Sequence, residues 1–361
     1  ETNPWIGGRP KAIDSFAGMG GFSVGAAMAG IDVVWAANHW EEAVAVYNAN
    51  AGPGVAHMEN LSIPSWDWRR APFHHLHMAS PSCKGHTKAR GAYGDQDAEK
   101  KKLYDALRAT ARAVLEAAEV HLPDVIVVEN VPEFRHWGAR QADGRLYKAW
   151  IATLEAMDYQ VTEQILNAAD SGTPCSRERL FIVARHGGPG IEIPKDTQPH
   201  KSVEGSIDWS SDIDWRLPKR RDGMWLPLHP KDRKKYKDPL KSWVYDLIMR
   251  GEKAGMGRGI IPYFGTTKNK LVPLSIDDPL DSPGTKSTFG VYDLTSRVPR
   301  YRMIRPDELQ HAMGFPDSFQ LPRKRDGQIH VIQANTMLAN GVCPPAAAHL
   351  FRVVRAAMEK G

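Results

Sequence analysis

Apolar residues in the first half of the chain follow two rhythms. "KAIDSF", "IDVVWAA", "HHLHMAS", "DVIVVEN" and "RLFIVAR" carry short unbroken apolar runs of strand length, the kind buried on both faces of a parallel sheet. Between them, "HWEEAVAVYNAN", "DAEKKKLYDALRATARAVLEAAEVHL" and "LYKAWIATLEAMDY" have helical spacing, the second with Leu103, Leu107, Ala111, Val114 and Leu115 on one side. Gly30 stops a helix of small residues that leaves the glycine-rich turn, and Pro123 ends the long one. Strands alternating with helices predict an α/β fold with a doubly wound, mainly parallel sheet of Rossmann-like type.

The rhythm fades after Gly187. Residues 188–296 are rich in Pro, Gly, Lys, Arg and Trp, and "RLPKRRDGMWLPLHPKDRKKYK" interleaves cations with Trp225 and Tyr236. A second, smaller, loop-rich domain is predicted there. Helical patterning returns in "RPDELQHAMGF" and "PPAAAHLFRVVRAAME". Residues 10–187 and 297–361 are therefore expected to form one domain interrupted by the other.

The chain has 361 residues, enough for one large core and a smaller one. No apolar run approaches the roughly 20 residues that span a bilayer, and no signal peptide is expected at its start. A cytoplasmic protein without a membrane partner is expected. A net charge of +5 permits a nucleic-acid partner without requiring one. Three cysteines match neither a disulfide framework nor a zinc spacing, and His74, His75 and His77 have no suitably spaced partner, so no metal is expected.

Four stretches carry candidate chemistry. "DSFAGMGGFSVG" leads a strand through glycines into a helix N-terminus, where free N–H groups can meet a ligand. Its glycines do not fit the dinucleotide register, and Asn38 and His39 stand where that fold places an acid. A nucleoside cofactor without a pyrophosphate, such as S-adenosylmethionine, suits it better; a turn with no ligand is the plainer possibility. In "ASPSCKGHTKARG", Cys83 sits in a loop beside Lys84, with His86 and Lys88 near, and positive neighbours favour the thiolate. Glu129 falls at the end of a buried strand, where desolvation lets a carboxyl keep its proton, unless it serves as a cap or a loop ion pair. Arg177 and Arg179 are spaced to point to one side, suited to a carbonyl oxygen or a phosphate, or else they form a solvated strand edge. The basic run 216–237 is either solvated surface or a phosphate contact. Cys175 and Cys343 read as ordinary core or loop thiols.

The order of these stretches, completed by "SRERLFIV", "RPDELQHAMGFP" and "LANGVCPP", resembles the DNA (cytosine-5) methyltransferases over residues 12–187 and 297–359. The resemblance implies a Cys83 nucleophile, Glu129 as the acid, Arg179 holding the base with Arg177 beside it, and Asn130 bracing the cysteine loop. S-adenosylmethionine would meet Phe16, Ala17, Gly18, Met19, Gly21, Asn38, His39, Trp40, Asn60, Leu61, Ser80, Ser82 and Lys84, with Asn340 and Val342 closing the site. Double-stranded DNA would meet Lys84, Thr87, Lys88, Arg90, Lys219, Arg220, Arg221, Arg233, Lys234 and Lys235, and residues 188–296 would be the target-recognition domain. A bacterial or phage enzyme, monomeric and with room for a companion restriction endonuclease, is expected.

The chain departs from the family pattern in four places. Ser82 replaces the proline before the cysteine, and Lys84 the glutamine after it. Asn38 or His39 replaces the ribose-binding acid, and Asn60 an aspartate near the adenine. Two negative charges are thus lost and one cation gained. Either these are neutral changes, or the cofactor is a carboxylated S-adenosylmethionine that would leave a carboxymethyl group. The same chemistry acting on tRNA, or a silent DNA-binding protein on this scaffold, would also be compatible with the pattern.

Overall fold

The computed structural model describes residues 8–63, 65–82, 110–137, 143–210, 215, 242–263, 273–285, 289–296 and 300–360. The first eight strands are β1 (Lys11–Ser15), β2 (Asp32–Asn38), β3 (Ala56–Met58), β4 (Leu76–Ala79), β5 (Val125–Asn130), β6 (Tyr159–Asn167), β7 (Cys175–Ser176) and β8 (Glu178–His186). Seven of them form one sheet in the order β3-β2-β1-β4-β5-β8-β6. Strands β1 to β5 run parallel, and β8 is antiparallel to both its neighbours. The mainly parallel sheet is as the sequence predicts. Strand β5 is buried along its whole length, which is why "DVIVV" shows no polar alternation.

The described helices are α1 (Gly21–Met28), α2 (Glu41–Ala51), α3 (Thr110–His121), α4 (Arg145–Ala156), α5 (Ser242–Lys253), α6 (Pro306–Ala312), α7 (Val331–Asn340) and α8 (Pro344–Glu359). Helices α1 and α8 cover one face of the sheet, with the Phe22 ring 4.8 Å from Phe351 and 6.1 Å from Phe181. Truncating fully buried Phe351 to Ala would cost about 3–5 kcal/mol. The two helices meet at Gly25, where a Cβ would lie 2.4 Å from that of Ala347. Helices α3 and α4 cover the other face through Ala111, Val114, Trp150 and Leu154. The last helix of the chain thus packs on the sheet.

Strand β6 and helices α5 and α7 are not apparent in the sequence patterning. Strand β6 is an edge strand with polar residues through its middle. Helix α7 is built from "VIQANTMLAN", whose Asn and Thr residues are weak helix formers, and it relies on the His330 side chain accepting the Gln333 N–H.

The loop-rich region holds β9 (Arg258–Pro262), β10 (Leu280–Asp281) and β11 (Phe289–Asp293), followed by β12 (Arg300–Met303). Strands β9, β11 and β12 form an antiparallel sheet, and β10 pairs with β7. Trp215 lies under two guanidinium groups, Arg300 at 4.3 Å and Arg302 at 4.6 Å from its ring centre. Arg302 is wholly buried and grips Glu308 with both terminal nitrogens at 2.6 and 2.5 Å. Glu308 also accepts the N–H of Arg305 and so caps α6. Ile191 and Ile193 pack with Met78 and Val127 of the large sheet. Among the described residues no helix is long and apolar enough to cross a membrane.

Candidate active site at the carboxyl ends of the sheet

Strand order turns outward in both directions between β1 and β4, so a crevice opens beyond their carboxyl ends. The turn leaving β1 is unusual from its first residue. Phe16 has φ 61°, a left-handed conformation rare outside glycine, of the kind found where backbone is shaped for a ligand. At Gly18 nothing lies within 4 Å of where a side chain would begin, so the turn faces open space. Gly21 does the opposite: a Cβ there would sit 2.5 Å from the Val342 carbonyl oxygen. Only glycine lets the start of α1 seat against the segment joining α7 to α8. This contact brings Met19 and Gly21 beside Gly341 and Val342.

The neighbouring strand ends supply uncharged polar groups. The Asn38 side-chain oxygen accepts the Trp40 N–H at 2.9 Å, which fixes the orientation of its amide. Trp40 packs, half-buried, on the cluster containing Met19, while His39 is exposed. Asn60 caps a turn by accepting from the N–H and hydroxyl of Ser62, and Leu61 buries its side chain in the cluster of Trp35 and Trp66. The Ser80 hydroxyl, just past β4, is buried without a partner among the described residues. An unpaired buried hydroxyl, a left-handed Phe16 and an open glycine turn beside Trp40 fit an adenosyl ligand with an aromatic and several polar edges.

Glu129 and Arg179 form the charged floor. Glu129 is next to last in β5, opposite Phe181 of β8, and Arg179 is second in β8 at the same edge. The Arg179 Nε lies 2.9 Å from a Glu129 oxygen. Burial pushes the Glu129 carboxyl up, against the opposing pull of Arg179 and Arg177. The Asn130 amide donates to the Pro81 carbonyl at 3.1 Å, and the Ser82 N–H donates to the Thr110 hydroxyl at 3.1 Å. The entry to the cysteine loop is therefore held from two sides.

The two arginines engage different partners, contrary to what their spacing suggests. Arg177 lies between β7 and β8 and is buried. It donates to the Ala339 carbonyl at 2.7 Å and to the Ser282 hydroxyl at 2.9 Å. Burial lowers its pKa to about 10. It ties the arginine strand to the end of α7, next to Asn340. Cys83, Lys84, Thr87, Lys88 and Arg90 lie outside the described residues, as do Lys219, Arg220, Arg221, Arg233, Lys234 and Lys235.

Asp14, which opens the "DSFAGMGGFSVG" stretch, is a further candidate that the sequence reading gave no role. It is wholly buried near the end of β1, accepting the Ser23 hydroxyl at 2.5 Å; Tyr47 in turn donates to Ser23 at 2.8 Å. Its other oxygen has no partner among the described residues. Burial raises its pKa to about 7. An aspartate inside the strand run "KAIDS" is the one signal that could have flagged it.

A family model for C-5 cytosine-specific DNA methylases matches residues 11–356. Type II methyltransferase M.NlaX of Neisseria lactamica is 25% identical over 361 residues, covering 96% of this chain and 97% of that protein. M.HhaI of Haemophilus parahaemolyticus is 24% identical over 315 residues, covering 86% and 85%. Two solved structures share the fold. They are S. pombe Dnmt2 methyltransferase (TM-score 0.57, 16% identity, 98% and 99% covered) and Entamoeba histolytica methyltransferase EhMeth (TM-score 0.57, 17% identity, 97% and 98% covered).

Proposed function

This chain belongs to the C-5 cytosine-specific DNA methylase family, and we propose that it modifies carbon 5 of a flipped-out cytosine in double-stranded DNA through a covalent bond to Cys83. The observation that carries this reading is the ion pair of buried Glu129 with half-buried Arg179, beside the Asn130–Pro81 clamp. The clamp fixes the chain two residues before Cys83.

Carbon 5 of cytosine is a poor nucleophile. Addition of the Cys83 thiolate to carbon 6 makes it enamine-like. Glu129, whose proton affinity burial raises, donates a proton to ring nitrogen 3 and relieves the charge that develops there. Arg179 keeps Glu129 in place and offers its remaining N–H groups to the exocyclic oxygen. S-adenosylmethionine, when bound, supplies an electrophilic methyl group. Phe16, Ala17, Gly18, Met19 and Gly21, with Asn38, His39, Trp40, Asn60, Leu61, Ser80, Ser82 and Lys84, would line its side of the site, and Asn340 and Val342 would close it. A base, for which water suffices, takes the carbon 5 proton, and the electron pair left behind re-forms the ring double bond as the Cys83 thiolate departs. A stacked base is out of reach of these groups, so the cytosine is extruded at a cost of a few kcal/mol. Phosphate contacts offset that cost, made by Thr87, Lys88, Arg90 and the basic residues 219–221 and 233–235 of a recognition domain spanning 188–296.

A second reading is favoured by one set of observations. The strand ends offer the amides of Asn38 and Asn60 where acids are expected, and Lys84 follows the nucleophile. A carboxylated S-adenosylmethionine would suit that balance and would yield 5-carboxymethylcytosine. Both readings are tested by incubating the full chain with DNA and either cofactor, then analysing nucleosides by mass spectrometry. The expected result is modified cytosine at mapped positions. Only 5-methylcytosine from either incubation removes the second reading, and unmodified DNA from both removes the first as well.

A further inference from the structure

The glycine turn that leaves β1 has an open side and a backed side. At Gly18 nothing lies within 4 Å of where a side chain would begin, but at Gly20 a Cβ would sit 2.9 Å from Cδ2 of the Tyr47 ring. Gly20 has φ 98°, so the ring rests on backbone that glycine adopts without strain. The same ring shares a small apolar cluster with Ala17 of the turn, Ala36 of β2 and Ala56 of β3. Tyr47 belongs to α2, the helix that starts directly after Trp40. Nothing in the chemistry proposed above uses it.

The Tyr47 hydroxyl is anchored as well. It donates to the Ser23 oxygen of α1 at 2.8 Å, and the Ser23 hydroxyl donates in turn to Asp14 of β1 at 2.5 Å. All three residues are buried. Three polar side chains from three elements are strung through the core, at a desolvation cost that apolar residues of the same shape would not incur. What the chain of hydrogen bonds adds over apolar filling is a fixed position for the ring.

We infer that Tyr47 is a positioning residue for the cofactor: its ring backs the glycine turn, and its anchor through Ser23 to Asp14 holds the turn in the shape the cofactor meets. The inference rests on the proposed use of S-adenosylmethionine at this turn. Tyr47 acts from behind, through the backbone of Ala17 and Gly20, and does not touch the reacting atoms. A turn already held in its bound shape has less to order when the ligand arrives.

The test uses the full chain and two variants. Tyr47→Phe keeps the ring and removes its anchor; Ser23→Ala cuts the same chain one link further on. S-adenosylhomocysteine affinity is measured by calorimetry, the cofactor KM and kcat by modification of DNA, and the melting temperature by circular dichroism. Each variant is expected to weaken S-adenosylhomocysteine binding and raise the cofactor KM by about fivefold. At saturating cofactor, kcat should stay within about twofold of the parent value. The double variant should bind no more weakly than Ser23→Ala alone, because both changes cut one chain. A contact that only stabilised the fold would lower the melting temperature and the active fraction, hence kcat, and leave KM unchanged. That result would overturn the proposal, as would losses that simply sum in the double variant. If Tyr47→Phe does not fold, Ser23→Ala carries the same measurement. Parent-like affinity in the folded variants would remove the role of Tyr47 alone, whereas a parent chain that binds no S-adenosylhomocysteine would remove the proposed function beneath it.

Discussion

Two clusters of buried charge occur in this molecule, and they differ in how their carboxylates are paired. In the antiparallel region, Arg302 and Glu308 form a two-pronged ion pair at 0% and 2% exposure, roofed by Trp215 and capping α6. At the ends of the parallel strands, Glu129 meets Arg179 through one contact and Asp14 leaves an oxygen unpaired; the Nε of Arg177 is without a partner among the described residues, as is that of Arg302 in the other cluster. The first arrangement holds elements together. The second leaves charge and proton affinity available, and Glu129, Asp14 and Arg177 all have shifted pKa values there. Incomplete pairing of buried polar groups is costly, and the three shifted groups at this sheet edge lie where the proposed function puts substrate and cofactor.

The sharpest test of that contrast is chemical. Cys83→Ala is expected to lower cytosine modification by about 10⁴-fold or more and to abolish the covalent complex with 5-fluorocytosine DNA, while the melting temperature barely moves. Glu308→Ala should show the reverse. Removing one partner of a buried ion pair costs about 3–5 kcal/mol, to be read by urea denaturation, and Arg302→Met with Glu308→Leu should recover part of it. If Glu308→Ala left stability untouched, the distinction between the two clusters would fail.

Glu129→Gln is expected to cut the rate by about 10²–10³-fold without unfolding the protein. In the parent chain the rate should fall as pH rises through the raised Glu129 pKa, because the protonated carboxyl is the acting form; the variant should lack that limb. The smallest effect concerns Asp14. Its folded pKa near 7 lies above the ordinary value of 3.8, so between those values the folded state holds a proton that the unfolded chain has lost. The stabilising contribution is complete below about pH 4 and is lost as pH rises toward 7. His74 acts oppositely, since burial depresses it to about 4, so that stability is lost as pH falls from 6.5 toward that value. Asp14→Asn should flatten the alkaline side of the stability profile by up to about 1.4 kcal/mol per pH unit, measured by denaturation across pH 5 to 8; a parallel profile would show that Asp14 does not titrate there.

Much of the catalytic half is legible without coordinates. Strands β1, β4, β5 and β8 are written as short apolar runs because both sheet faces are covered. Helix α8 follows from its own apolar stripe and the prolines that open it. Less visible is what depends on partners far away in sequence. "YQVTEQILN" is strand β6 only because β8 lies beside it. "VIQANTMLAN" is helical because the folded cluster of Met337 and Leu338 outweighs weak local propensity.

Taken alone, the amino-acid order determined the alternating α/β architecture and the family, and it nominated the residues to which the proposed chemistry is assigned. These are recorded locally, as strand-length apolar runs, glycines at a turn, and polar residues at strand ends. Tertiary structure decided which of those residues share an environment. It set Glu129 against Arg179 but sent Arg177 across to Ala339, and buried Asp14 beside Ser23. Burial and long-range contact set proton affinity and pairing, and both are sums over neighbours that no local stretch of sequence contains.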